Sequence, residues 1–282
     1  MNKWIAGARP KTLPAAIAPV AVGTALAGNN MDPLLALLAL LVSLSLQIGV
    51  NYANDYSDGI KGTDDNRIGP MRLVATGAAS AHHVKIAAYL ALSSAAVFGL
   101  ILSLQTTLWF IAIGALAIAA AWGYTGWKNP YGYFGFGELA VFVFFGLVAT
   151  MGTYFAQTGT LTFDSLIVAI PMGSLSCALL AINNLRDRAA DELVGKRTLA
   201  VRLGDSSART AFIALLLLSH LSVIFLFKPW TLLTLLLIPM TYSLIKAMRS
   251  GAIGGALIPL LGRTGKLQLR FAILLSLGLL LS

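Results

Sequence analysis

The sequence predicts an all-α, polytopic membrane protein, a bundle of nine transmembrane helices, and three observations predict it. Of the 282 residues 57% are hydrophobic and only 11% are charged, with a mean hydropathy of +0.81. Soluble domains carry about a quarter charged residues, so lipid rather than water must solvate most of this surface. Apolar segments of spanning length recur along the chain. Finally, 19 of the 20 basic residues fall on alternate connections between those segments, as the positive-inside rule requires.

Apolar runs of roughly 17 to 25 residues can cross a bilayer as helices. They lie near 13–28, 34–50, 84–104, 108–126, 137–156, 163–182, 210–227, 230–247 and 266–282. The first, sixth and eighth contain prolines or small residues, which membrane helices tolerate. The first also follows Lys3, Arg9 and Lys11 and ends at Ala25-Leu26-Ala27, the outline of a signal peptide. Arg9-Pro10-Lys11 reads instead as an anchored helix entrance, so this run is expected to remain as the first helix.

The basic residues set the orientation. Lys3, Arg9 and Lys11 precede the first segment, and Lys61, Arg67, Arg72 and Lys85 follow the second. Lys128 follows the fourth, while Arg186, Arg188, Lys196, Arg197, Arg202 and Arg209 follow the sixth. Lys246, Arg249, Arg263, Lys266 and Arg270 follow the eighth, and Lys228 alone falls on the other side. Nine spans satisfy the split, with the N-terminus in the cytoplasm and the C-terminus outside; an even number does not. The same bias accounts for the net charge of +9 without nucleic acid. The single cysteine, Cys177, excludes an intrachain disulfide and reads as a small packing residue.

Two cytoplasmic connections are long, at roughly 51–83 and 184–209, and they hold most of the acids. Loops of this length in a compact bundle are usually functional. In the first, Asn51, Asp55 and Asp58 share a helical face if the second helix continues, with Asn54 alongside. In the second, Asn183, Asp187 and Asp191 share a face at spacings of four, next to Asn184. A charge at bilayer mid-depth costs at least ~2.5 kcal/mol, and clustered carboxylates repel, so something positive must sit between them. Magnesium suits this setting, because it shares one or two carboxylates with substrate phosphates and waters. Lys61, Arg67, Arg72, Lys196 and Arg197 could then grip the remaining phosphate oxygens. Either motif alone reads equally well as solvated, helix-capping charges; the repetition favours a site. A spacing of 132 residues between Asp55 and Asp187 also suits a duplicated four-helix unit plus a final helix, in one domain over 1–282.

Asn54-Asp55-x-x-Asp58 and Asp187-x-x-x-Asp191 resemble the two aspartate-rich motifs of the UbiA superfamily of membrane prenyltransferases. The resemblance covers nearly the whole chain. It implies nine helices around a central cavity, with both motifs at its cytoplasmic mouth binding the Mg2+ that holds a polyprenyl diphosphate. The flanks resemble the branch that acts on 1,4-dihydroxy-2-naphthoate. They are Asn54 to Asp64 with Arg67-Ile68-Gly69-Pro70-Met71-Arg72, Asn183 to Asp187, Gly195 to Gly204, and Asn129-Pro130-Tyr131-Gly132-Tyr133 with Gly135 and Gly137-Glu138. The superfamily's usual third acid of the first motif is Gly62 here, and Asp64 and Asp65 are the next acids. On this resemblance the expected metal ligands are Asp55, Asp58, Asp64, Asp187 and Asp191. Asn51, Asn54, Lys61, Arg67, Arg72, Lys128, Asn183, Asn184, Lys196 and Arg197 would contact substrate. It further implies attack of the aromatic ring on an allylic cation and loss of the ring carboxyl, in a bacterial inner membrane and with no obligatory protein partner.

Tyr52, Tyr56, Tyr124, Trp127, Tyr131 and Tyr133 could stabilise such a cation through their π faces. An ordinary interfacial aromatic belt explains most of them. Tyr124 stands apart, one turn before Lys128, and is assigned a catalytic role. Arg72, and less clearly Arg67, could hold the carboxylate of an aromatic acid; lipid phosphate is the competing partner. His82 and His83 are expected to meet solvent, and His220 to pack within a helix. A 4-hydroxybenzoate prenyltransferase is the nearest alternative enzyme, and the Lys61-Gly62 and Gly195-Lys196 flanks disfavour it. A secondary transporter would place its acids at the midplane, whereas these crowd one rim.

Overall fold

The computed structural model describes residues 2–63, 69 and 71–282, and among these there is no strand. A short α1 (Lys3–Ala8) precedes α2 (Pro14–Leu26), α3 (Pro33–Ile60), α4 (Ala81–Gln105) and α5 (Trp109–Gly123). Then come α6 (Gly137–Thr158), α7 (Phe163–Leu193), α8 (Leu199–Ile224), α9 (Pro229–Arg249) and α10 (Leu257–Leu280). Helix α6 contains a π segment over Phe142–Val148, and α9 opens as a 3-10 helix over Pro229–Leu237. A helix stands on each of the nine expected segments. Among the described residues, α3, α4, α6, α7, α8 and α9 are long and apolar enough to cross a membrane by length and composition. Helices α2 and α5 are shorter, and α10 carries Arg263, Lys266 and Arg270.

Local chemistry sets the helix starts. Asp32 caps α3, its Oδ1 accepting from the amides of Leu34 and Leu35 at 2.7 and 3.2 Å, with Pro33 in the first turn. Thr162 and Ser165 form a reciprocal capping box on α7. Helices α3 and α7 run well past the ends of their apolar runs, and α8 and α10 begin well before theirs. Gly204, at φ +75°, is a non-helical break inside α8, separating its first turn from the rest. Arg209, counted above as a loop charge, lies inside α8 and donates to the carbonyls of Met248 and Ala252 at 2.9 and 2.8 Å. It thereby caps the C-terminal end of α9.

Helix α7 is the axis of the bundle. Over its most apolar stretch it is 78% buried, against 22–39% for the other five long helices. Val168, Met172, Leu175 and Ile182 of α7 are fully buried, in one cluster with Phe212 of α8 and Leu267 and Phe271 of α10. Because lipid tails are as apolar as leucine, close packing of small residues rather than hydrophobic burial binds such helices. Gly146 of the π segment lies against Gly173 of α7, where a Cβ on Gly146 would stand only 2.6 Å from the Gly173 Cα. That crossing brings Glu138 of α6 beside Asn184 of α7. Outward-facing Leu90, Leu104, Leu116 and Leu236 present the lipid surface.

Candidate active site

Helices α2 to α7 enclose a cavity of about 1250 Å³. Its walls are apolar, with Val42, Leu46, Ile113, Phe144 and Met151 among them, while Asn51, Asn54, Asp58, Asn183, Asp187 and Asp191 line its polar mouth. The α3 helix does continue to Ile60, so the first motif is helical throughout. Its cavity face is Asn51, Asn54 and Asp58, at spacings of three and four. Asp55, on the flank of that face, is not part of the lining.

Asp55 is fully buried, and its Oδ2 and Oδ1 accept from the backbone N–H groups of Leu73 and Val74 at 2.8 and 3.0 Å. It holds the α3–α4 connection rather than lining the cavity, which corrects the expected face. Asp58 is the hub of the mouth. Tyr133 donates to its Oδ1 at 2.8 Å, while Lys196 Nζ and Arg72 Nη2 stand 3.5 and 4.0 Å from Oδ2. Lys196 also stands 3.8 Å from Asp191 Oδ1, so one ammonium joins the two motifs. Part of the positive charge that the sequence demanded therefore comes from the protein itself.

In the second motif Asn183, Asn184, Asp187 and Asp191 all line the cavity. Arg186 grips Asp187 with Nε and Nη2, both at 2.7 Å. Asn184 donates to Glu138 Oε1 at 2.8 Å, and the Asn183 amide donates to the Leu179 carbonyl at 3.2 Å.

Other expected residues are placed differently. Lys61 donates to the Thr125 carbonyl at 2.6 Å and stands 5.0 Å from the Tyr133 ring, outside the cavity. Burial pushes its pKa down and its neighbour Lys196 adds to the fall, against the pull of Asp58. Lys128 and Arg197 are exposed and away from the mouth. Asp64 and Arg67, like Asp65, lie outside the described residues. Asn54 accepts from the Thr125 hydroxyl at 2.8 Å, tying α3 to the α5–α6 connection.

Of the six aromatic candidates, Tyr124 and Tyr131 line the cavity, ring against edge at 5.5 Å. Burial pushes the Tyr131 phenol up to about 12, still further from ionisation than an ordinary tyrosine, which is itself neutral near pH 7. Tyr52 donates to the Trp4 carbonyl, Tyr56 packs on Trp122, and Trp127 is exposed. His83 bonds Ser80 at the exposed start of α4, and His220 bonds Thr241, away from the cavity. Sequence reasoning missed three contributors: Arg186, Glu138, and Tyr133 as the partner of Asp58. Arg186 sits within the motif itself; nothing in the sequence connected the other two to their partners.

Among the described residues no three His, Cys, Asp or Glu side chains gather closely enough to cage a metal alone. The mouth instead offers separate carboxylates and asparagine amides, an all-oxygen set from two helices. That fits magnesium shared between protein and a phosphate ligand.

Residues 16–255 match the model of the UbiA prenyltransferase family. The chain is 48% identical over 275 residues to a 1,4-dihydroxy-2-naphthoate octaprenyltransferase of Mycobacterium tuberculosis, covering 96% of this chain and 94% of that one. It is 39% identical to the protein of the same name in Escherichia coli, covering 99% and 95%. Among solved structures it resembles a UbiA homolog from Archaeoglobus fulgidus bound to GPP and Mg2+, with TM-score 0.66 and 15% identity over 98% of this chain and 100% of that one. The chain belongs to the UbiA prenyltransferase family.

Proposed function

We propose that the protein transfers a polyprenyl chain from polyprenyl diphosphate to 1,4-dihydroxy-2-naphthoate with loss of the ring carboxyl. The product is the reduced form of demethylmenaquinone. The reading rests on one observation above all: two acid motifs from distant parts of the chain meet, through Lys196, at the mouth of a single apolar cavity. Identity of 48% to a relative named for this reaction, across nearly its whole length, supports the choice of aromatic acid.

Asp58, Asp187 and Asp191 would hold magnesium, which when bound neutralises the departing diphosphate. Lys196 and Arg72 add positive charge where that diphosphate collects. The allylic C–O bond breaks with its electron pair on the diphosphate. The electron-rich naphthoate ring forms the new C–C bond, and the pair of its carboxyl bond returns to the ring as carbon dioxide leaves. Tyr124 and Tyr131 face the allylic carbon with neutral rings that favour positive charge. The apolar walls keep water from a cation that would otherwise be captured as an alcohol. The prenyl tail follows the same walls between the helices.

The mouth faces the cytoplasm of a bacterial inner membrane in this reading, because the basic residues gather on that side. A cysteine introduced at Thr63 should then be labelled only from inside, and a tag after Ser282 reached only from outside. Labelling of both from one side removes the orientation. The substrate test is turnover of purified protein with magnesium, octaprenyl diphosphate and each aromatic acid in turn. Faster prenylation of 4-hydroxybenzoate than of 1,4-dihydroxy-2-naphthoate overturns the assignment.

A further inference from the structure

Arg186 is more buried and better ordered by its partners than a loop cation needs to be. It is 6% exposed as a residue and its side chain is wholly inaccessible, yet it borders the cavity mouth. Two of its donor groups are committed to the Asp187 carboxylate. The third, Nη1, is buried and, among the described residues, donates to nothing. A buried charged donor without an acceptor is costly, and proteins seldom keep one that has no use. Holding Asp187 requires only the Nε and Nη2 edge, so Nη1 is surplus to that task. Room for the guanidinium is kept by Gly69 of the α3–α4 connection, where a Cβ would stand 3.2 Å from the Arg186 Cζ.

We propose that Arg186 is a substrate-binding residue whose Nη1 donates to an oxygen of the prenyl diphosphate. This rests on the prenyl diphosphate reading above. The charges around the mouth select that anion over the carboxylate of the aromatic acid. Asp187 already neutralises Arg186, and Lys196 and Arg72 stand against Asp58 and Asp191, so the cations of the mouth are matched by its acids and a lone carboxylate gains little there. A diphosphate arrives with its own divalent cation and can sit among acids. Guanidinium geometry suits it, because a fixed fork can hold a carboxylate on one edge and a phosphate oxygen on another.

The experiment is calorimetric titration of detergent-purified protein with a geranylgeranyl thiolodiphosphate, which resists transfer, in the presence of Mg2+. Arg186→Gln should weaken binding about ten- to hundredfold, the range for a charged hydrogen bond. Its affinity for Mn2+ alone, read by electron paramagnetic resonance, and its KM for the aromatic acid should both hold within about twofold. Gly69→Ala presses on the same guanidinium without removing it and should weaken the thiolodiphosphate several-fold; it serves if Arg186→Gln does not fold. Unchanged thiolodiphosphate binding in both variants overturns the assignment. A rise confined to the KM for the aromatic acid moves Arg186 to the other substrate, and an equal loss of Mn2+ reduces it to a support for Asp187. Failure of the unaltered protein to bind the thiolodiphosphate would instead remove the underlying reading.

Discussion

Helices α3 and α7 end in similar sequences at the same mouth and are held there in opposite ways. Helix α7 is 78% buried over its most apolar stretch, and its acids are fixed from close by in sequence: Asp187 by Arg186, and Asp191 by Lys196. Helix α3 is 28% buried over the comparable stretch and depends on distant partners. Leu73 and Val74 hold Asp55, Tyr133 holds Asp58, and Thr125 holds both Asn54 and Lys61. A helix enclosed by its neighbours needs no outside tether to aim two carboxylates. A helix at the edge needs several, and Asp55 serves as one of them instead of facing the cavity.

If the two helix ends complement each other, the cavity-facing acids should matter most for chemistry. Asp58→Ala and Asp191→Ala should each lower turnover by roughly a thousandfold or more, as expected when the stabilisation of developing charge is lost. Full activity in either would dissolve the site. The acids should also separate in stability. Asp187→Ala leaves Arg186 buried without its partner and should cost about 3–5 kcal/mol. Asp55→Ala leaves the buried Leu73 amide and the part-buried Val74 amide without their acceptor, the first costing about 1–3 kcal/mol and the second less. Unfolding in mixed micelles measures both, and an Asp55→Ala protein as stable as the parent would show that the edge helix needs no tether. The smallest effect belongs to Tyr133→Phe, which removes one hydrogen bond to a charged group, about 1.5–3 kcal/mol. It should slow turnover modestly without changing the KM for the aromatic acid.

Much of this was legible in the sequence, and the exceptions have physical causes. The apolar runs located a helix at every expected segment, since a bilayer requires unbroken apolar surface over a fixed length. Boundaries failed where a charge is buried by a specific partner: Arg209 reads as a loop residue until the carbonyls of Met248 and Ala252 are seen to accept from it. The second motif was read correctly as a face, because α7 runs straight through it to Leu193. The first was misread by one position. Asn51, Asp55 and Asp58 share a helical face by spacing, but spacing does not say which side of that face meets a cavity and which meets a loop. That choice depends on Leu73 and Val74, eighteen and nineteen residues away. The pairing of Glu138 with Asn184 spans 46 residues and had no local signal at all.

The central claim is that both helix ends hold one metal–diphosphate complex, and a double-mutant cycle tests it most directly. Mn2+ binding in the presence of the geranylgeranyl thiolodiphosphate would be measured for the parent, Asp58→Ala, Asp191→Ala and the double variant. If the ends share one complex, each single variant should lose nearly as much affinity as the double, so the losses should fall far short of adding. Losses that simply add would place the two acids in independent sites, and contradict the account.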